Sequence, residues 1–357
     1  MSFSPKTRFT SHAFLLLTIA ALSVSCIKVK KESKADVLLK VEDASQAQLL
    51  AEINRFASVN SIHAKMDLKF EDNSFAAFGS KEVYRQADGD VTVQRPGKIL
   101  LKVQVPILKS DVAQMTSDGN QFRVAVLQDG GSGKYKKFVK GTNGADYTKL
   151  QKTLSVEELK DLKEAKQSVS AFSNMRPQHF TDAMLVRPTD ADHIYTQSTI
   201  YQHEEDTSVD KKSPIRYVTR GYYLLDEYRQ SGESGLVISR RFWFDRVGGI
   251  RLARQQLFDA MGEIESDITY GSPGRLGENT QFANLPLQIQ VTRIKERYSL
   301  RFTYQSPDMA LIGRDYPATA FVLQNTWNLE EVDLDKKLAE LGDTLPAGVK
   351  STTSLAH

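Results

Sequence analysis

Scattered histidines, one cysteine and a few glycine-rich turns are the residues of this 357-residue chain from which any chemistry would have to be built. His12, His63, His179, His193, His203 and His357 never fall at HExxH or a comparable spacing, so no metal site is expected. The stretch QDGGSGKYKK from Gln128 imitates a phosphate loop. However, no glycine stands five places before Gly133, and Tyr135 replaces the hydroxyl residue that such a loop needs, so it reads as a hairpin loop. GESG at Gly232 lacks the last glycine of a nucleophile elbow, and strands on both sides of it supply no strand-to-helix turn. Glu204 and Glu205 adjoin in the polar run HEEDTSVDKKSP without a base beside them, which reads as an exposed loop. No catalytic residue is assigned, and the chain is expected not to be an enzyme.

The single cysteine, Cys26, ends the stretch FLLLTIAALSVSC. Upstream of it lie Lys6 and Arg8, no acidic residue, and an apolar run from Ala13 to Leu22. That run is shorter than the ~20 residues of a spanning helix and fits the ~7 to 15 of a signal core. Small Ser23 and Ser25 occupy positions minus three and minus one before Cys26, where a signal peptidase admits only small side chains. An exported thiol without a disulfide partner calls for intermolecular pairing or covalent modification. The segment resembles a bacterial lipoprotein signal, with Leu22 one place further from the cysteine than usual. That resemblance implies removal of residues 1–25 and a covalent diacylglycerol plus an N-acyl group of palmitate type on Cys26, with no other cofactor. Two acyl chains anchor durably where one is marginal.

Loss of the leader lowers Lys+Arg from 47 to 45 against 44 Asp+Glu, leaving the mature chain near neutrality without a dense basic field. No nucleic-acid partner is expected. Residues 26–43 are mostly charged and aperiodic, the composition of a tether.

From residue 44 the pattern changes. Leu49, Leu50, Ile53, Phe56 and Ala57 recur at helical spacing, predicting a helix over Ala44–Val59. SIHAKMDLKF then alternates strictly, placing Met66, Leu68 and Phe70 on one face of a strand. Further strands are predicted at Phe75–Arg85, Val91–Arg95, Ile99–Val105, Val112–Thr116 and Phe122–Leu127, with ADGD, RPGK and SDGN as turns. SVEELKDLKEAKQSVSAF, with Ser155 and Glu158 at capping-box spacing, and RPQHFTDAML predict helices in the middle. Strands resume at Ile215–Arg229, Leu236–Asp245, Ile250–Phe258, Glu263–Tyr270, Leu287–Ile294 and Tyr298–Tyr304. In FWFD, Phe242 and Phe244 share a face opposite Arg241, Trp243 and Asp245. The expectation is a mainly β chain with helices (α+β): one domain over 44–335, a helical insertion at about 133–214, and a flexible tail at 336–357. A split into two domains near residue 150 is the other organisation the pattern allows.

The helix, the strand meander from Ile62, QRPGKILLKVQVPILKSDVAQMTSDGNQF from Gln94 and FWFDRVGGIRLARQQLFDAMGEIESDITY from Phe242 resemble the LolA/LolB-like lipoprotein-carrier family, over most of residues 46–333. That resemblance implies a half-open antiparallel β-barrel curved around helices, with an apolar cavity for acyl chains. Met66, Leu68, Phe70, Phe242 and Phe244 are the lining candidates, and ordinary core packing accounts for the same pattern. Lipidation of Cys26 corresponds to the receptor branch, itself an outer-membrane lipoprotein facing the periplasm, whose membrane-touching loop maps onto Pro106, Ile107 and Leu108. Burial of Ile107 and Leu108 at a strand end is the competing reading of that loop. Implied partners are the membrane, through the anchor, and acyl chains of a lipid or lipoprotein. The alternative is a non-catalytic structural lipoprotein that offers its insertion helices to an envelope protein partner. The insertion is not something the family leads one to expect.

Overall fold

The computed structural model describes residues 37–72, 82–83, 87–105, 110–128, 133, 136–145, 147, 150, 176–206, 209–232, 235–278 and 282–343. Cys26, the leader, the membrane-loop residues Pro106, Ile107 and Leu108, the helix expected around Ser155, and the tail beyond 343 lie outside them. The chain divides into a larger unit, Leu39–Gln202 with Arg220–His357, and a smaller one containing His203–Thr219 with Val37 and Leu38. In the smaller unit, β1 (Val37–Leu38) pairs parallel with Val218 and Thr219.

The larger unit begins with helix α1, Gln46–Ala57. Ser45 caps it reciprocally: its side chain accepts from Gln48 N, and its own N–H donates to Gln48 Oε1 at 2.8 Å. Leu49, Ile53 and Phe56 form its buried face. Then follow β2 (Ser61–Asp72), β3 (Glu82–Val83), β4 (Ala87–Gln94), β5 (Lys98–Gln104), β6 (Asp111–Asp118), β7 (Gln121–Val126) and β8 (Lys137–Thr142). Helix α2, Pro177–Met184, precedes β9 (Ile194–Glu205) and β10 (Tyr217–Ser231), of which residues 203–205 and 217–219 are counted with the smaller unit, and then β11 (Gly235–Asp245), β12 (Arg251–Phe258), β13 (Ile264–Gly274), β14 (Leu285–Arg293) and β15 (Tyr298–Tyr304). Short β16 (Leu311–Ile312), β17 (Glu330–Asp333) and helix α3 (Leu334–Asp343) complete it.

The strands form one continuous sheet, β9–β10–β11–β12–β13–β14–β15–β2–β4–β5–β6–β7–β8, with β17 parallel to β8 at the far edge. Pairing from β10 to β8 is antiparallel throughout, and the closure between the meanders is β15 on β2, where Phe302 opposes Leu68. Among the described residues the outer strands do not pair with each other, so the sheet is open. It is also curled. Helix α2 touches β14 on one side and β4, β5 and β6 on the other. A flat sheet would spread those five strand intervals over about 24 Å, whereas a helix is about 10 to 12 Å wide. The described residues therefore form the expected half-open antiparallel barrel around helices.

Three differences from the sequence pattern have physical causes. The stretch from about 133 to 214 carries strands β8 and β9 beside α2 instead of being helical throughout. β9 is an edge strand with no fully buried side chain, so its alternation is not marked by hydrophobicity. ADGD is not a turn but part of β4, because Gly89 leaves room for the Leu68 side chain, which a Cβ there would approach to 2.8 Å. Residues 336–343 of the tail belong to α3, anchored where the Thr142 hydroxyl donates to Asp335 at 2.8 Å.

Candidate functional site

The concave face is one apolar cluster joining both meanders and both interior helices. Of the predicted lining residues, Met66, Phe242 and Phe244 are completely buried, Leu68 is nearly so, and Phe70 is half-buried with its ring stacked on Tyr298 at 5.5 Å. The structure brings all five to the interior, where they meet packed side chains. Between Phe56, Val59, Ile62, Ala183, Met184, Tyr270, Leu285 and Tyr304 only about 20 Å³ remains, room for one water and not for an acyl chain.

Helix α2 takes part in that filling together with α1. Pro177 starts α2, but Arg176 gives it no side-chain cap. Six of its eight residues are buried, Phe180 edge-on to Phe302 at 5.0 Å between centroids. A helix this short is unstable by itself and exists through its packing. Two of its buried residues, His179 and Thr181, are polar. His179 Nδ1 lies 2.7 Å from the Tyr298 hydroxyl, while Nε2 has no hydrogen-bond partner among the described residues. Burial, then the positive charges of Arg293 and Arg176, push its pKa well below the ordinary histidine value. The unfolded chain thus takes up this proton first, so stability falls as pH drops below about 6.5, by up to about 1.4 kcal/mol per pH unit. His179→Gln should flatten the melting temperature between pH 6.5 and 5, and an unchanged slope in thermal melts would assign the loss to other groups.

The chain leaving α2 is held from two sides by arginines. From the β4–β5 corner, Arg95 donates through Nε to Val59 O at 3.0 Å, through Nη1 to Leu185 O at 3.4 Å and through Nη2 to Val186 O at 2.6 Å. From β11, Arg240 donates to Arg187 O and Pro188 O, both at 2.8 Å. Four consecutive carbonyls, those of Leu185 to Pro188, are thereby fixed. Arg240 is itself held by Glu227, directly opposite on β10, through Nε at 2.7 Å and through Nη2. Glu227 also accepts from Ser239 Oγ at 2.6 Å and from the Tyr195 hydroxyl at 2.8 Å. Burial pushes its carboxyl up, but these donors outweigh it and leave it below the ordinary glutamate value. Burial and the bond to Glu227 push the Tyr195 hydroxyl up to about 12. Arg95, by contrast, has no carboxylate partner among the described residues, and burial alone lowers its pKa.

Sequence reasoning missed this clamp. Arg240 shares the parity of Phe242 and Phe244, the one signal that would have turned it inward. On the outer face the expected polar pattern holds: Arg241 pairs with Asp226 at 2.6 Å, and Arg254 pairs with Asp267 while lying over the Trp243 ring at 4.9 Å. Among the described residues no cluster of three or more metal-ligating side chains exists. No helix among them is long and apolar enough to cross a membrane.

The chain is similar in structure to a LolA superfamily protein from Nitrosomonas europaea at 12% identity, over 78% of this chain and 99% of that one, with a TM-score of 0.39. It is likewise similar to a DUF1329 family protein from Desulfovibrio piger at 10% identity, over 77% and 95%, with a TM-score of 0.37. A domain described as an outer membrane lipoprotein-sorting protein, from Vibrio parahaemolyticus, matches at 8% identity over 77% and 94%, with a TM-score of 0.38. No family model and no curated protein matches the chain. The fold of the described residues is an open antiparallel sheet curled around helices.

Proposed function

We propose that this chain is an outer-membrane lipoprotein facing the periplasm, tethered through acylated Cys26, which takes acyl chains of a lipid or lipoprotein into the interior of its half-barrel without covalent catalysis. The observation that supports this reading is the way the interior is closed. A continuous apolar concave face is covered by a helix of eight residues, and that helix is held at its exit by hydrogen bonds from Arg95 to carbonyls rather than by a second sheet. Departure of α2 would expose the faces of β2, β4–β6 and β14 to an acyl chain, and burial at ~25 cal/mol per square ångström would offset the loss of the helix.

A second reading rests on the same closure taken as permanent: with about 20 Å³ left between α1, α2 and strands β13 to β15 among the described residues, the chain would be a scaffold for an envelope protein partner. Native mass spectrometry of residues 27–357, purified without detergent, separates the two. A co-purifying lipid mass lost on denaturation supports uptake; a bare mass, repeated after incubation with phospholipid, sinks it in favour of the scaffold. The anchor is tested separately. Cys26→Ser should leave the protein unprocessed or move it out of the membrane fraction, and mature protein persisting there would refute lipidation at this residue.

A further inference from the structure

Beside the closed interior lies an open cleft of about 880 Å³, bounded by the β4–β5 corner, the end of α2 with the segment after it, and strands β10 to β12. We propose that this cleft receives the phosphoryl group of an amphiphilic lipid whose chains go to the apolar interior. The inference rests on the acyl-binding reading above and adds the ligand's polar end to it.

Four guanidiniums, those of Arg95, Arg187, Arg229 and Arg240, line the cleft together with the carboxylates of Asp182, Asp190 and Glu227. These charges do not cancel in pairs. Glu227 is consumed by Arg240. Asp182, its carboxyl raised chiefly by burial, stands 3.9 Å from Arg187, and Asp190 stands 3.3 Å from His193. Arg95 and Arg229 have no carboxylate within ion-pair reach among the described residues. Arg95 is also half-buried, so its charge is desolvated without being neutralised. A phosphoryl group supplies the anionic oxygens that guanidiniums bind in two-point fashion.

The placement of α2 gives the ligand its second property. Ala183 and Met184 line the remnant of the apolar interior, whereas Thr181, Asp182 and Leu185 line the cleft. One short helix therefore separates a cationic compartment from an apolar one. A phospholipid has the same layout, charge at one end and chains at the other, and it would occupy both compartments once the helix moved.

The test is calorimetry at low salt on the full mature chain, with three probes: dihexanoylphosphatidic acid below its micellar concentration, dihexanoylglycerol and inorganic phosphate. The comparison variant is Arg187→Ala/Arg229→Ala, whose two side chains are exposed and whose melting temperature is checked first. The expected result is that the phosphatidic acid binds the wild type at least tenfold more tightly than the variant, with dihexanoylglycerol indifferent to the change. Equal binding of both lipids by both proteins would overturn the cleft assignment and leave acyl uptake standing. Binding of inorganic phosphate alone, lost in the variant, would make the source free phosphate and overturn the lipid assignment. Binding of no probe would overturn the inference together with acyl uptake.

Discussion

Glu227→Ala should be the most damaging single truncation in the clamp, with an expected loss of about 3 to 5 kcal/mol, the usual cost of leaving one partner of a buried ion pair alone. The side chains of Glu227 and Arg240 are 3% and 5% exposed. With the carboxylate gone, a guanidinium remains in the interior beside the Phe242 ring, 5.0 Å from its centre, Tyr195 loses its acceptor, and Ser239 keeps only the longer bond to the backbone carbonyl of residue 227. Arg240 keeps its bonds to Arg187 O and Pro188 O but loses the group that aims it. The double replacement Glu227→Leu/Arg240→Met should cost much less than the two single truncations added together, because apolar groups of similar size remove the uncompensated charge. Urea unfolding of the wild type, Glu227→Leu, Arg240→Met and the double replacement gives the coupling directly. A Glu227→Ala loss under 1 kcal/mol would mean that water reaches Arg240 and that the pair is not a structural clamp.

The fold was legible where burial alternates and illegible where it does not. β14 and β15 read cleanly because Ile289 and Val291 on one strand and Leu300 and Phe302 on the other turn to the same core, opposite polar neighbours. β9 has the β-branched and aromatic residues of a strand but lies at the sheet edge, so no buried face marked it. The inward turn of Phe242 and Phe244 was readable from parity; the presence of Arg240 in the same row was not, because an arginine on a core face is intelligible only once Glu227 is known to stand opposite. Which residues face each other across a hairpin, here Glu227 and Arg240 13 positions apart with a register shift beside them, is set by the paired structure. The same holds for Arg95. In RPGK it reads as turn chemistry, and its three carbonyl partners come from segments 36, 90 and 91 residues away. Sequence likewise cannot separate a packed core from a cavity, since both want the same side chains; the difference here lies in α1 and α2, which take part in filling the space.

Arg95→Met should act on the closure rather than on the sheet. Its three acceptors lie on the second residue after α1 and on the two that follow α2, so one guanidinium ties both interior helices to the β4–β5 corner. Hydrogen bonds to charged groups contribute about 1.5 to 3 kcal/mol each, and the loss of this set should cost roughly 3 kcal/mol. Much of that loss should appear as local opening, because α2 is short, uncapped and stable only while packed. Amide exchange of α2 should therefore accelerate by about a hundredfold while the paired amides of β2 and β15 stay protected. If acyl chains enter by way of that opening, each 1.4 kcal/mol taken from the closed state raises the competent fraction tenfold and lowers the apparent dissociation constant of an acyl probe by the same factor. Arg95→Lys, keeping the charge but not the three-way reach, should fall between the two. Faster exchange without tighter binding would show that the helix opens onto nothing a lipid uses, which is the scaffold outcome. Unchanged exchange would mean that packing by Phe180 and Met184 holds α2 without the arginine, and that access to the interior is controlled from another side of the barrel.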